Sequence, residues 1–271
     1  MLFTTFYFSG TGNTKWVVEQ FKSTVIQSGH QAELYSIDDF KRCKSENLIK
    51  IVKESTCIGF ANPIYGADIP SIMKAFIRFL TDSLKTEKVY SKPFYFINTF
   101  GYVNAYGPFE AKKLFDKDCF KLMAYVNIRV CNNISTYRHK SQLVSSKKLR
   151  IRKARAEDEL KIMINRLLSS KKHIKGIGPY LLPGILIRKK TQKVIQNNYQ
   201  LLSVQAKTCN RCMLCLNNCP TRCIKLNNQQ FEFSAECTAC MRCYNFCPTA
   251  SIWINGIYTD PKEYFRYRGP E

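Results

Sequence analysis

Histidine, tryptophan and long apolar runs are all scarce here. Three histidines and two tryptophans serve 271 residues, which leaves little for a histidine-based metal centre or catalytic cluster. No stretch approaches the roughly 18 apolar residues that span a bilayer. The longest candidate, Tyr180 to Ile187, is eight residues and contains Pro183 and Gly184. Met1 runs directly into Leu2-Phe3-Thr4-Thr5-Phe6-Tyr7-Phe8, with no basic stretch and no small-residue cleavage site. Neither G-x-G-x-x-G nor the lysine-bearing P-loop occurs, which argues against a dinucleotide fingerprint and a nucleoside-triphosphate site. The expectation is a cytoplasmic chain without integral membrane insertion. Structural disulfides are rare in that compartment, so 13 cysteines need another explanation, and metal is the first.

What is present divides into three zones. The chain is 45% apolar and 13% aromatic, enough for real cores, and its length suits about two domains. Of a formal net charge of +22, the segment Arg138 to Lys193 supplies +14, from 17 Lys or Arg against Glu157, Asp158 and Glu159. Cysteines avoid that segment: Cys43, Cys57, Cys119 and Cys131 precede it and nine follow it.

The first zone alternates between strand and helix patterns. Leu2 to Phe8, Glu33 to Ile37, Thr56 to Phe60, Phe94 to Asn98 and Met123 to Val130 are apolar, β-branched or aromatic runs of strand length. Trp16, Val17, Phe21 and Val25 recur at helical spacing, Ser71 to Leu80 forms a helix entered through Pro70, and Phe109 to Phe115 forms another. Lys147 to Ser170 is the last helix of this zone. Such alternation predicts an α/β fold, a doubly wound parallel sheet with ligands beyond the carboxyl ends of its strands. Three loops leave those ends. The first, Ser9-Gly10-Thr11-Gly12-Asn13-Thr14, joins a strand to a helix N-terminus, where free amides and the helix dipole favour an anion. Hydroxyls and amides without a lysine suit the phosphate of a mononucleotide; a hydroxyl-rich helix cap is the plainer alternative.

This first loop, following a first strand, resembles the FMN-phosphate loop of flavodoxins. The resemblance implies a five-stranded flavodoxin-like sheet that binds FMN across three loops. The second would be Asn62, Pro63, Ile64, Tyr65 and Gly66; the third would include Thr99, Gly101, Tyr102 and Tyr106. These loops hold no tryptophan of the kind that often stacks on the flavin; Trp16 belongs to the first helix. Tyr65 and Tyr102 are candidates for that place, against ordinary loop packing.

The last zone repeats itself. Cys209, Cys212, Cys215 and Cys219-Pro220-Thr221 recur 28 residues later as Cys237, Cys240, Cys243 and Cys247-Pro248-Thr249. This C-x₂-C-x₂-C-x₃-C-P run, present twice, resembles the signature of bacterial two-cluster ferredoxins. Thiolates at i, i+3 and i+6 can wrap one cubane, and a fourth followed by proline reaches across to the other. The resemblance thus implies one 4Fe–4S cluster on Cys209, Cys212, Cys215 and Cys247, and a second on Cys237, Cys240, Cys243 and Cys219. Zinc sites explain neither the third cysteine nor the proline. Between the copies, Ile224 to Leu226 and Phe231 to Phe233 predict a hairpin turning at Asn227-Asn228. Cys223, where the second copy has Ser251, reads as a small packing residue, as does Cys57.

The whole resembles flavodoxin–ferredoxin fusion proteins of anaerobes. The expected division is an FMN-binding domain over 1–172, a basic helical linker over 173–204, and a two-cluster domain over 205–271. Leu181 to Val204 predicts a helical stretch leading into that last domain. The cations of Lys147 to Arg155 and the patch from Ile177 to Lys190 suit an acidic redox partner or a membrane surface, with solvated lysines and a packed linker as the plainer readings. No nucleic-acid-binding pattern accompanies the charge. Two functions follow: an electron carrier serving partner redox proteins, or a flavin-dependent oxidoreductase acting on a small molecule. His30, His139 and His173 lie outside the three loops and Asp68 is their one acid, which favours the carrier.

Overall fold

A computed structural model describes every residue except 39, 43, 103–110, 138, 177–180 and 271, and omits the side chains of 41 and 181–187. Cys43, Tyr106 and Phe109 therefore lie outside the described residues, as do the side chains of the apolar patch before Arg188.

The N-terminal part is one parallel sheet with strand order β2-β1-β3-β4-β5-β6. The strands are β1 (Leu2–Tyr7), β2 (Gln31–Ser36), β3 (Cys57–Pro63), β4 (Lys92–Phe100), β5 (Phe120–Arg129) and β6 (His173–Ile174). The five predicted runs become the first five strands, and a two-residue sixth strand extends the sheet beside Ala124 and Tyr125. β3 lies at the centre and is buried at every position, as its unbroken apolar run requires when both faces are covered.

Helices α1 (Asn13–Gln27) and α4 (Ser146–Leu168) cover one face, and α2 (Ser45–Glu54) and α3 (Ser71–Thr86) the other. Beneath α1 and α4, Val17, Val18, Phe21, Leu160, Met163 and Ile164 meet Phe3, Tyr95 and Ile97. The buried Tyr95 ring lies over Gly59, where a Cβ would overlap it. Its hydroxyl pairs with Thr5 Oγ1 at 2.5 Å. The opposite core is unusually aromatic: Phe60 touches the rings of Phe6, Phe76, Phe94, Phe115 and Phe120.

Some local expectations shift. The helix predicted over Phe109 to Phe115 is a 3₁₀ turn at Ala111–Leu114. The stretch from Leu181 to Val204 begins as a helix, α5 (Leu181–Gln196), then passes through a 3₁₀ turn into β7 (Leu202–Val204).

The C-terminal part is small. β7 pairs antiparallel with β10 (Ile252–Ile254), and β8 (Ile224–Asn227) with β9 (Gln230–Phe233). The hairpin turns at Asn228 and Gln229, one residue later than expected, with φ of 44° and 66° at its two central positions. That pattern suits a tight two-residue hairpin loop. Two short helices, α6 (Leu214–Asn217) and α7 (Arg242–Phe246), follow the third-position turns of the repeat. Its apolar core is Leu202, Met241, Tyr244, Ile252 and Ile254, ringed by cysteines.

Candidate functional site

The three carboxyl-end loops converge. Ser9, Gly10, Thr11, Asn13 and Thr14, then Pro63, Ile64 and Tyr65, then Thr99, Phe100 and Gly101 line one cavity of about 30 Å³, completed by Cys131 and Asn133. Gly12 has φ of 106° and ends the turn into α1. The loops are tied together: Thr14 Oγ1 meets Thr99 Oγ1 at 2.8 Å, and Asn133 Nδ2 donates to Thr11 Oγ1 at 2.9 Å. Ser9 Oγ accepts from the amides of Gly12 and Lys15, so part of this loop caps its own helix. A cavity this size holds a phosphate-sized group or about two waters, lined by hydroxyls at a helix N-terminus, which is the donor set an anion needs. The residues present fit the phosphate end of a mononucleotide.

The other predicted loop residues divide. Tyr65 is buried, packed edge-on against Phe8 at 6.5 Å, with its hydroxyl over Gly10. Burial pushes that hydroxyl's pKa well above its ordinary value. Tyr102 is half exposed and packs edge-on to His139 at 5.5 Å. Gly66 bears instead against α5, whose Thr191 and Gln192 donate to its carbonyl. Asn62 joins a ladder that the sequence reading missed: its amide donates to Asn98 Oδ1, and that of Asn98 to Asn127 Oδ1, each at 3.0 Å. The three asparagines are in register on neighbouring strands, a signal present only once pairing is known. Asp68 is buried and held by Lys74 at 2.6 Å and Arg188 at 2.7 Å.

The eight repeat cysteines form two groups. Cys219, Cys237, Cys240 and Cys243 line one cavity, with Cys223 beside them. The thiols acting on Cys215 are those of Cys247, Cys209 and Cys212. Both copies turn in the same unusual way: Arg211 and Ala239 share φ of 53°, Met213 and Met241 have 59° and 58°, and Arg222 and Ala250 have 53° and 51°. Left-handed residues without glycine are uncommon. Here they turn backbone amides toward sulfur: Arg211 N donates to Cys209 Sγ and Ala239 N to Cys237 Sγ, both at 3.4 Å. Burial raises the Cys240 and Cys215 thiols each to about 11 and holds Cys243 well above its ordinary value. As free thiols they stay protonated; a bound metal ion would remove those protons. Two sets of four soft donors with amide support fit iron–sulfur ligation.

The two halves of the site touch. Arg242, between Cys240 and Cys243, donates to the carbonyls of Ser9 and Gly10 at 2.7 and 3.0 Å and pairs with Asp38 at 2.7 Å. A Cβ on Gly10 would lie 3.0 Å from the Cys240 carbonyl, and one on Gly12 would lie 2.7 Å from Gly269 Cα. The Tyr267 hydroxyl donates to Asn13 Oδ1. Sequence reasoning missed this arginine, although one signal was available: the position 28 residues earlier is Leu214.

Residues 201–248 match the family model described as a 4Fe-4S dicluster domain. Solved structures similar to the chain include a flavodoxin from the domain Archaea, 18% identical over 60% of this chain and 99% of that one, with a TM-score of 0.40. The general stress protein 14 of Treponema denticola, solved in complex with FMN, is 12% identical over 63% and 99%, with a TM-score of 0.41. The flavodoxin of Megasphaera elsdenii is 15% identical over 47% and 85%, with a TM-score of 0.36. No curated protein matches. Similarity this low adds nothing to the strand order, which carries the fold by itself. The chain thus joins a flavodoxin-like α/β domain to a module of the 4Fe-4S dicluster type. It is a redox protein built for electron transfer, and no helix among its described residues is long and apolar enough to cross a membrane.

Proposed function

We propose that this chain passes electrons between FMN in its N-terminal domain (residues 1–172) and two 4Fe–4S clusters in its C-terminal domain (205–271), and onward to partner redox proteins; the basic linker, 173–204, lends its first residues to the sheet as β6 and its last to the module as β7. Thr11, Thr14 and the amides of the first loop would hold the FMN phosphate, and the loops at 62–66 and 99–102 would flank its ring. Cys209, Cys212, Cys215 and Cys247 would ligate one cluster, and Cys237, Cys240, Cys243 and Cys219 the other. When bound, the flavin exchanges one or two electrons, whereas each cluster exchanges one.

The chain's own contribution is distance and shielding. The observation that carries this reading is the seating of residues 238–242 on the first loop, with Arg242 bonded to two loop carbonyls and the Cys240 carbonyl against Gly10. The Cys240 carbonyl and Cβ lie directly against the candidate phosphate loop there. Asp68, already engaged by two cations, offers no ready proton donor, which favours a carrier. The oxidoreductase reading draws on one contact, the His139 ring beside Tyr102, and steady-state turnover of a quinone acceptor would support it.

Anaerobic purification followed by metal and flavin counts tests the proposal. About eight irons and one FMN per chain are expected. Zinc in place of iron overturns the cluster assignment, and absence of FMN overturns the loop assignment.

A further inference from the structure

The two copies of the cysteine motif share backbone conformation but differ in cover. In the second copy, Thr238, Ala239, Cys240 and Met241 are all buried: Met241 lies in the module's own core, while the N-terminal domain sits on Thr238 and Cys240 through Gly10 and Ser71, whose hydroxyl donates to Thr238 Oγ1 at 3.1 Å. In the first copy, the equivalent Asn210, Arg211 and Cys212 are exposed and Leu214, the counterpart of Arg242, is 40% exposed. The same loop geometry is therefore used once as a docking surface within the chain and left open once.

Charge distinguishes the open copy. Residues 205–229 contain Lys207, Arg211, Arg222 and Lys225 and no Asp or Glu, whereas 230–256 contain Glu232, Glu236 and Arg242. Lys207 and Arg211 flank Cys209 and Cys212, and both are exposed. A partly exposed leucine and two exposed cations within a few residues of an exposed ligand candidate suit brief encounters between electron carriers, where complementary charge sets the association rate.

We infer that the loop Asn210 to Leu214 is the port at which an acidic one-electron carrier protein docks. This rests on the cluster reading above. The cluster on Cys209, Cys212, Cys215 and Cys247 is then the outer one, and that on Cys237, Cys240, Cys243 and Cys219 the inner one. A reduced carrier docked there would pass one electron to the cluster that Cys209, Cys212, Cys215 and Cys247 would hold, with no bond made and no proton moved.

The test is a calorimetric titration of the anaerobically purified full chain with an acidic plant-type [2Fe–2S] ferredoxin as the probe carrier. Lys207→Glu with Arg211→Glu should raise Kd about tenfold. The control pair Lys171→Glu with Lys172→Glu makes the same charge change on the basic middle and should shift Kd less than about twofold. Leu214→Ala should weaken binding without altering its salt dependence. Equal effects of the two pairs, a larger effect of the control pair, or no affinity in the wild-type chain would each overturn the port. Iron analysis of the same sample reads the cluster assignment separately: iron-loaded chain whose affinity ignores Lys207 and Arg211 sinks the port alone, while iron-free chain sinks the reading beneath it.

Discussion

The two domains bury very different amounts of apolar surface. The sheet domain has a core on each face, one held by Val17, Phe21, Tyr95 and Leu160 and the other by a network of phenylalanines around Phe60. The cysteine module has five core residues and two short ladders. A fold that small needs a staple, and its cysteines are all free thiols among the described residues. The sheet domain stands by exclusion of water, and the module by the metal its thiols would hold. Iron removal should break this contrast most visibly. An anaerobic chelator should abolish protection of module amides from hydrogen exchange, because binding energy here is folding energy. Trypsin should then cut at Lys207, Arg211 and Arg222 while the sheet domain survives as a fragment. Equal loss of protection in both domains would show that they fold as one unit.

The next largest effect comes from the other side of the comparison. Phe60→Ala removes a ring at the centre of β3 that touches five other aromatic rings and should cost about 3–5 kcal/mol of stability. Denaturant midpoints followed by far-UV dichroism would report it. Absorption of the iron–sulfur module should persist past the shifted midpoint. Simultaneous loss would place the module's stability in the sheet domain.

Arg242→Leu converts the second copy into the first and loosens the join. It leaves Asp38 without its cation and the carbonyls of Ser9 and Gly10 without their donor. Asp38 is partly exposed, so the loss should be about 2 kcal/mol rather than the larger cost of a fully buried pair. Hydrogen exchange at the amides of Gly10 to Thr14 should accelerate while β3 stays protected. Thr14→Glu should act more locally, placing a negative charge in the loop cavity beside Thr99 and stripping FMN without changing iron content. FMN retained at wild-type level would remove the phosphate role from this loop.

The sheet was legible because its strands are dense in β-branched and aromatic residues and its loops carry small hydroxyl residues; five strands were placed to within a few residues. Helix α2 was missed, since Leu48, Ile49 and Val52 are embedded among four charged residues of the same helix. β6 is two residues long and depends on β5 for its existence. The spacing displayed the repeat itself, whose backbone turn is the same in both copies; the exchange of Cys219 and Cys247 between the two groups came from the ferredoxin resemblance. What the sequence could not display was the join. Arg242, Tyr267 and Gly269 act on the first loop from more than 200 residues away, and the asparagine ladder requires three strands in register before Asn62, Asn98 and Asn127 mean anything together.

The finest contrast is between the copies at one position. Cys223 Sγ lies 3.4 Å from Cys219 Sγ inside the second thiol cavity. The counterpart Ser251 instead bonds through its hydroxyl to Thr208 and Thr249, and its amide donates to Cys247 Sγ at 3.2 Å. Four thiols besides Cys223 line that cavity, and a serine serves where the fifth would stand in the other copy. Cys223→Ala should therefore keep the full iron content and cost about 1 kcal/mol, the scale of trimming one small buried apolar group. Its effect on reduction potential should be modest, because the removed S–H is one of several donors near the thiols that would hold the cluster. Loss of half the iron in Cys223→Ala, with Ser251→Ala unaffected, would instead make Cys223 a ligand and end the equivalence of the two copies.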